Sequence, residues 1–306
     1  MNKKWVRAVL SHSAFCGVKR PHLDHLLVEL RDPWEARVEG QRYERRGHRR
    51  HRATGAGRHH DLEYADRVLV ALAVLRPRIP HACLALMFDV DRSTLTRAIH
   101  QDRPLPTARG FATPEGPRLR TLEDVFAYAG HHKVALRVDG SGIQVRRPRA
   151  SRPGRRAFIS GKKKQNTIKF TEITGPGGRN LWAGCFRPGR MHDQTAIKSE
   201  GIDGLLRDHP DVDLEMDDGY RGLARDYPGQ VTCPPKKPGK DATDAQIETQ
   251  REARHAQSSS RICVEHGIGE LKAWRTLQRW IGRRDYLPET IAAIAGLVSD
   301  RALATD

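Results

Sequence analysis

Three acids stand where regular structure would hold them rigidly. Asp139 closes the apolar run ALRV and precedes Gly140, Asp217 closes VDLEM and precedes Asp218 and Gly219, and Glu265 lies in RICVEHGIGELK. Carboxylates at strand ends project from a sheet edge with little freedom, and hard oxygen donors of this kind suit magnesium or manganese. Each acid alone also has an ordinary explanation. Aspartate before glycine is also ordinary turn chemistry, and Glu265 follows Arg261 by four residues, a spacing that a plain helical ion pair explains equally well. Their order joins them: one acid follows an early strand, one follows a later strand, and the third is on the next helix.

The elements that must position these acids read as follows. Strand ALRVDG continues through IQVR. Strand NTIKFTEIT, a GPGG turn and strand LWAGCF come next, then a helix over DQTAIKSEGIDGLL. Strands VDLEMD and QVTCP precede a long helical stretch from Thr243 to about Ile281, in which Ile262, Ile268 and Leu271 mark a buried face. Thr121 and Asp124 form a capping-box variant that opens a helix over LEDVFAYA. Strands in succession, then a helix, a further strand and more helices predict an α/β domain whose mixed sheet is covered on both faces.

The first third has a different texture. Leu23, Leu26, Leu27, Leu30 and Trp34 recur at helical spacing between Pro21 and Glu39. From Arg42 to His60 there are seven arginines, four histidines and one glutamate, which predicts an exposed basic arm. A helix through Leu62, Val68, Leu69, Leu72, Ala73 and Leu75 ends at Pro77 and Pro80. Two short helices over HACLALMF and DRSTLTRAI, with a tight turn between them, then read either as a helix-turn-helix or as part of an ordinary three-helix bundle. In the first reading Ser93, Thr94, Thr96 and Arg97 lie on or near the exposed face and reach phosphates and base edges. The segment RPLPTARGFATPEGP, with four prolines and two glycines, predicts an irregular linker.

Charge names the class of partner. The 306 residues carry 54 Lys and Arg against 37 Asp and Glu, a formal charge of +17, which favours a polyanion such as nucleic acid. The charge is also local. Arg146, Arg147, Arg149, Arg152, Arg155, Arg156, Lys162, Lys163 and Lys164 follow the first acid-bearing strand with no acid among them, as a phosphate-neutralising segment would. Five scattered cysteines without a C-x-x-C pair fit neither a disulfide framework nor a zinc ribbon. The lack of a long apolar run argues against a membrane span and for a cytoplasmic protein with access to the nucleoid. His192 and Asp193 read as helix capping or support of the site, and Trp274 and Trp280 as core.

Six segments, in order, carry a resemblance: VDGSGIQVRRP, SGKKKQNTIKF, RPGRMHDQT, DDGYRG, PPKKPGK and RICVEHGIGELKAWR. Together they resemble the catalytic domain of DDE transposases, in the branch of bacterial insertion sequences of the fifth family, related to the Harbinger elements. The resemblance runs from about Asp61 to Asp300. It implies a ribonuclease-H-like catalytic domain, a mixed sheet flanked by helices, preceded by an all-α helix-turn-helix domain. The expected division is 1–60 for the N-terminal helix and basic arm, 61–118 for the helix-turn-helix domain and linker, and 119–306 for the catalytic domain.

The same resemblance implies that Asp139, Asp217 and Glu265 are catalytic and bind metal. Relatives commonly carry lysine, serine or alanine after the second aspartate; here Asp218 follows, so Asp217 is preferred and Asp218 is the alternative. Two magnesium or manganese ions, about 3.5–4 Å apart, would serve in-line phosphoryl transfer on DNA. DNA contacts are expected from Ser93, Thr94, Thr96, Arg97, Arg146, Arg147, Lys162, Lys163 and Lys164. The partners are then terminal inverted repeats and target DNA, with a homo-oligomer of at least two copies on paired ends. A non-catalytic helix-turn-helix regulator and a nuclease of the same fold without strand transfer are the competing readings.

Overall fold

In the computed structural model, residues 2–51, 60–114, 116–149, 151, 154–239 and 241–303 are described. Eight helices open the chain: α1 (Lys3–Leu10), α2 (Ser13–Cys16), α3 (Arg20–Glu29), α4 (Arg31–Arg46), α5 (Tyr64–Leu75), α6 (His81–Phe88), α7 (Arg92–Asp102) and α8 (Pro104–Ala108). The helix expected over 21–39 is two helices that meet at Leu30, which is both C-cap of α3 and N-cap of α4. Part of the expected basic arm is helical, because α4 continues to Arg46 before Gly47 ends it in the left-handed conformation. Glu39 anchors Arg42 and Arg50 there. Residues 52–59 of that arm lie outside the described residues. Helices α6 and α7 meet at Asp89, in the left-handed region, and bury Leu84, Ala85 and Phe88 against Leu95 and Ala98.

The proline-rich stretch is not an irregular linker. Prolines at the start of α8 suit a first helical turn, where no amide partner is lost. A hairpin of β1 (Phe111–Ala112) and β2 (Arg118–Leu119) follows. Both pieces are ordered by the last helix, α15 (Leu287–Leu303). Thr107 Oγ1 donates to the Glu289 carbonyl at 2.8 Å, Arg103 pairs with the Glu289 carboxylate, and the Ala112 amide donates to Ser299 Oγ at 2.9 Å. Tertiary packing overrides composition here.

The capping box at Thr121 and Asp124 opens α9 (Leu122–His132) as expected. Then comes the sheet: β3 (Leu136–Val145), β4 (Thr167–Thr174) and β5 (Asn180–Pro188) form an antiparallel meander. Helices α10 (Asp193–Lys198) and α11 (Ile202–Asp208) divide the single helix expected from the sequence, because Gly201 between them is left-handed. Strand β6 (Leu214–Glu215), helix α12 (Arg221–Asp226) and strand β7 (Val231–Thr232) complete the crossover, and β6 and β7 run parallel to β3. The strand order is β5-β4-β3-β6-β7. This is a mixed sheet flanked by helices, consistent with the ribonuclease-H-like expectation.

Helix α13 (Asp244–Lys272) is shorter than the helical stretch read from the sequence. Beyond it are α14 (Arg275–Gln278) and β8 (Arg279–Trp280), and β8 pairs with the far end of β3. Ile262 is exposed, contrary to its expected place on the buried face, whereas Val264 and Leu271 are fully buried.

Trp274 joins the two parts of the chain. Its indole is fully buried, with the Arg76 guanidinium 5.6 Å from the ring centroid. Gly17, at φ +79, passes so close that a Cβ would meet the indole at 2.8 Å. The Arg275 amide donates to the Arg76 carbonyl and Thr276 Oγ1 to the Val74 carbonyl. A hydrophobic core thus runs without a break from α1 to α15. Among the described residues no helix is long and apolar enough to cross a membrane.

Trp274→Ala should destabilise the protein by about 3–5 kcal/mol, the cost of emptying a large aromatic site. Urea unfolding followed by circular dichroism checks this. A loss below about 1 kcal/mol would mean that the junction is held by its hydrogen bonds instead.

Candidate active site

Strand register brings the acids together. Leu136 pairs with Leu214 and Arg137 with Glu215, so Asp139 and Asp217 each stand beyond a matched pair on neighbouring parallel strands, at the same remove from it. On the other side of β3, Asp139 lies directly opposite Glu172 of β4. Side chains of residues paired across two strands share a face, so Glu172 and Asp139 project to one side of the sheet. Helix α13 covers that face. Arg261 Nη2 lies 3.8 Å from Asp139 Oδ2, and a Cβ on Gly267 would meet Glu172 Oε1 at 2.9 Å.

Each acid is held differently. Asp139 Oδ1 accepts from the Gly140 amide at 2.7 Å. Burial pushes its carboxyl above the ordinary aspartate value; the Gly140 amide and Arg261 oppose the rise, while Asp217 and Asp193 add to it. Asp217 caps a short 3-10 turn, with Oδ1 accepting from the Gly219 amide at 2.8 Å. Asp218 is half exposed and faces outward to Arg221 and, at 3.7 Å, Arg254.

Glu265 lies on the outer flank of α13, exposed, one turn beyond Arg261. The ion pair that the spacing of Arg261 and Glu265 allows is replaced by the approach of Arg261 to Asp139. The structure therefore gathers Asp139 and Asp217 and leaves Glu265 at the rim. Among the described residues no three His, Cys, Asp or Glu side chains converge as metal ligands.

Two acids that were not singled out as ligands also belong to this neighbourhood. Asp193 approaches from the opposite face, where a Cβ on Gly140 would meet its Oδ1 at 3.3 Å. Lys169 Nζ donates to Asp193 at 2.7 Å and to the Met191 carbonyl at 2.8 Å. Asp193 is thus in the first turn of α10, and His192 holds the N-cap position but makes no side-chain capping bond.

Glu172 is fully buried. Asn180 Nδ2 donates to its Oε1, and among the described residues its Oε2 has no partner. Burial pushes its carboxyl up to about 8; the bond from Asn180 opposes this, and Asp139 and Glu270 reinforce it. The signal for Glu172 was in the sequence: in the alternation Ile168, Phe170, Glu172, Thr174 an acid takes a place where apolar residues are expected.

Cations surround the cluster. Lys272, half-buried on α13, is held below the ordinary lysine value by burial and by Lys163, against the pull of Asp139 and Glu172. That places the β3–β4 connection beside the site. In this connection Arg146, Arg147, Lys162, Lys163 and Lys164 are exposed, and the Arg284 guanidinium sits 4.4 Å over the Phe158 ring. Arg152 lies outside the described residues. In the N-terminal helices Ser93 and Arg97 are exposed, Thr94 is half-buried, and the Thr96 hydroxyl is 2.9 Å from His81 Nδ1, engaged between α6 and α7. Trp280 is half-buried, with Nε1 donating to the Arg283 carbonyl.

The model of the DDE superfamily endonuclease family matches residues 138–299, more than half of the chain. The chain belongs to the DDE superfamily endonucleases. The matched span includes Asp139, Glu172, Asp193, Asp217 and Glu265. None of the curated proteins compared with the chain matches it significantly. A solved pre-cleavage Mos1 transpososome aligns over 97% of this chain and 98% of its own, at 12% identity and a TM-score of 0.19, a likeness too low to carry an argument. Endonucleases of this superfamily generally depend on divalent metal. The donors fit such an ion in kind: Asp139 and Asp217 offer hard oxygens in register, in a field of acids that only cations balance.

The titration of Glu172 gives a measurable consequence. Its folded value is raised above the unfolded one, so its contribution is present below the unfolded value of 4.5 and lost as pH rises toward about 8. The stability gap between Glu172→Gln and wild type should widen in favour of the variant from about pH 4.5 to 8 and then level off. Urea midpoints across pH check this, and a gap independent of pH would show that Glu172 ionises normally.

Proposed function

We propose that this endonuclease-family chain is a DNA transposase that cuts at transposon ends and joins them to target DNA by in-line phosphoryl transfer, as one of the bacterial insertion-sequence enzymes of the fifth family. The observation that carries the reading is the register of β3 and β6, which sets Asp139 and Asp217 side by side within the family's matched span. The strand order of an antiparallel meander followed by two parallel strands supports a ribonuclease-H-like catalytic domain over 119–306.

Asp139, Asp217 and Glu265 are the proposed metal ligands. Asp217 is favoured over Asp218, because Asp218 points away to Arg221 and Arg254. Two magnesium or manganese ions, when bound, supply charge neutralisation and activate the attacking oxygen. The chain's own residues do the rest. Arg261 and Lys272 hold positive charge against the acid pair, where a scissile phosphate is to be seated. The exposed Arg146, Arg147, Lys162, Lys163 and Lys164 grip the flanking phosphates. No residue need bond covalently to DNA, because water attacks first and the freed 3′-hydroxyl second.

Helices α6 and α7, within the proposed helix-turn-helix region 61–118, offer Ser93, Thr94 and Arg97 to terminal-repeat DNA. Thr96 contributes through His81 instead, by fixing α6 against α7. At least two copies act on paired ends. The N-terminal segment 1–60 supports the helical region, and the protein works in the cytoplasm on nucleoid DNA.

Labelled duplex carrying the element's terminal repeat, incubated with magnesium or manganese, should be nicked at the repeat boundary. Asp139→Asn, Asp217→Asn and Glu265→Gln should each lower nicking at least about a hundredfold with DNA affinity within about threefold, since the ligands act on the transition state. Asp218→Asn should leave nicking near wild type. Replacing Lys162, Lys163 and Lys164 with alanine should instead reduce the salt slope of binding by roughly 0.9 for each phosphate that is no longer neutralised. Tight binding of the repeat with no nicking under either metal would favour a DNA-binding regulator. Nicking without joined products would favour a nuclease.

A further inference from the structure

Glu172 has no assignment in the reading above, and it sits in the one place a sheet core tolerates least. Its neighbours along the same strand face are Phe170 and Ile168, and it is fully buried. A carboxyl placed there costs stability unless every oxygen is satisfied. Oε1 is satisfied by Asn180, while Oε2 has no partner among the described residues. The fold also makes room for it: α13 carries Gly267 above Glu172, where a Cβ would come within 2.9 Å of Oε1. An acid with its own cradle, its own clamp and a free oxygen is not a packing residue.

Its position explains what it does. Glu172 lies directly opposite Asp139 across the β3–β4 pair, at the cross-strand spacing where two acids oppose each other. Asp217 follows on the far side of β3. Glu172, Asp139 and Asp217 therefore form a row that runs from β4 across β3 to the chain just beyond β6. The cation that approaches Asp139 in this row, Arg261, is 3.8 Å away, too far for a hydrogen bond.

We propose that Glu172 is a positioning residue for the divalent cation. It acts through Asp139, as a second buried acid directly opposite it in the strand pair, beside the place where a cation would bind at Asp139 and Asp217. The inference rests on the metal-dependent reading of the site. Part of the cation's affinity then comes from the incompletely satisfied carboxyl across the strand pair, and the stability forgone at Glu172 in the cation-free fold is recovered on binding.

Full-length wild type, Glu172→Gln and Asp139→Asn titrated with manganese in a calorimeter, with thermal denaturation before and after manganese, test this without reference to nicking. Glutamine keeps an oxygen to accept from Asn180. Glu172→Gln should therefore melt at or above wild type without manganese, bind manganese about tenfold more weakly, and gain less in melting temperature from it. Glu172→Met, of similar length and without the carboxyl, should weaken manganese binding to the same degree and serves if the glutamine variant folds poorly. Asp139→Asn should lose binding outright. Wild-type affinity in Glu172→Gln and Glu172→Met, with binding lost in Asp139→Asn, would overturn the role of Glu172 and leave the metal reading standing. Wild-type affinity in Asp139→Asn would overturn both.

Discussion

The constraint on which the rest of the structure depends is that acids are held together at a largely buried sheet face, where the cation that approaches Asp139, Arg261, stands 3.8 Å away. Like charges in a low-dielectric interior repel strongly, and Asp139 shows the consequence in a carboxyl raised by burial and by its neighbours Asp217 and Asp193. A fold that keeps such a group must fix it from both sides. Here β3 is fixed in register on one side by β4 and on the other by β6. Gly140 and Gly219 then let the neighbouring side chains close in, since a Cβ at either position would press on a carboxylate oxygen of Asp193 or Asp217.

That constraint accounts for the placing of the cations. Arg261 and Lys272 come from α13, Lys169 from β4, and Lys163 from the β3–β4 connection. Separate elements thus contribute charge on both faces of the sheet around Asp139, and the helix that carries two of these cations is anchored beyond its end by Trp274. The indole is wedged between Gly17 and Arg76, so the N-terminal helices and the sheet share one core. The root of α13 is thus joined to the N-terminal helices by packing and by the hydrogen bonds from Arg275 and Thr276 to the end of α5.

The meander was legible because its strands are long and alternate: β3, β4 and β5 are where the sequence puts them, although Asp139, read as a strand-end acid, lies inside β3, and Asp217 follows the two-residue β6. The misses have physical causes. Pro104, Pro106 and Pro117 suggest irregular chain, yet α8 and the β1–β2 hairpin are ordered by α15, which lies far downstream in the chain. The two-residue strand β8 has too little pattern to be read, and its pairing with β3 is purely tertiary. Helical periodicity assigned Ile262 to the buried face because it weighed only apolar residues, whereas the packing of α13 is set by Arg261, Val264, Gly267 and Leu271. The charged partner of Asp139 thus took a place that hydrophobicity alone gave to isoleucine.

Glu172 shows the limit of reading acids only at strand ends. Within an alternating strand an acid on the apolar face is a larger anomaly than one before a glycine, because nothing in turn chemistry excuses it. Its cost falls on the folded state, and such costs persist where the surrounding structure gains something by them. The gain here is local: Asn180 and Gly267 hold Glu172 in place rather than exclude it. Two residues given over to a destabilising third, directly opposite Asp139, mark the β3–β4 pair rather than the strand ends alone as the seat of the site's electrostatics.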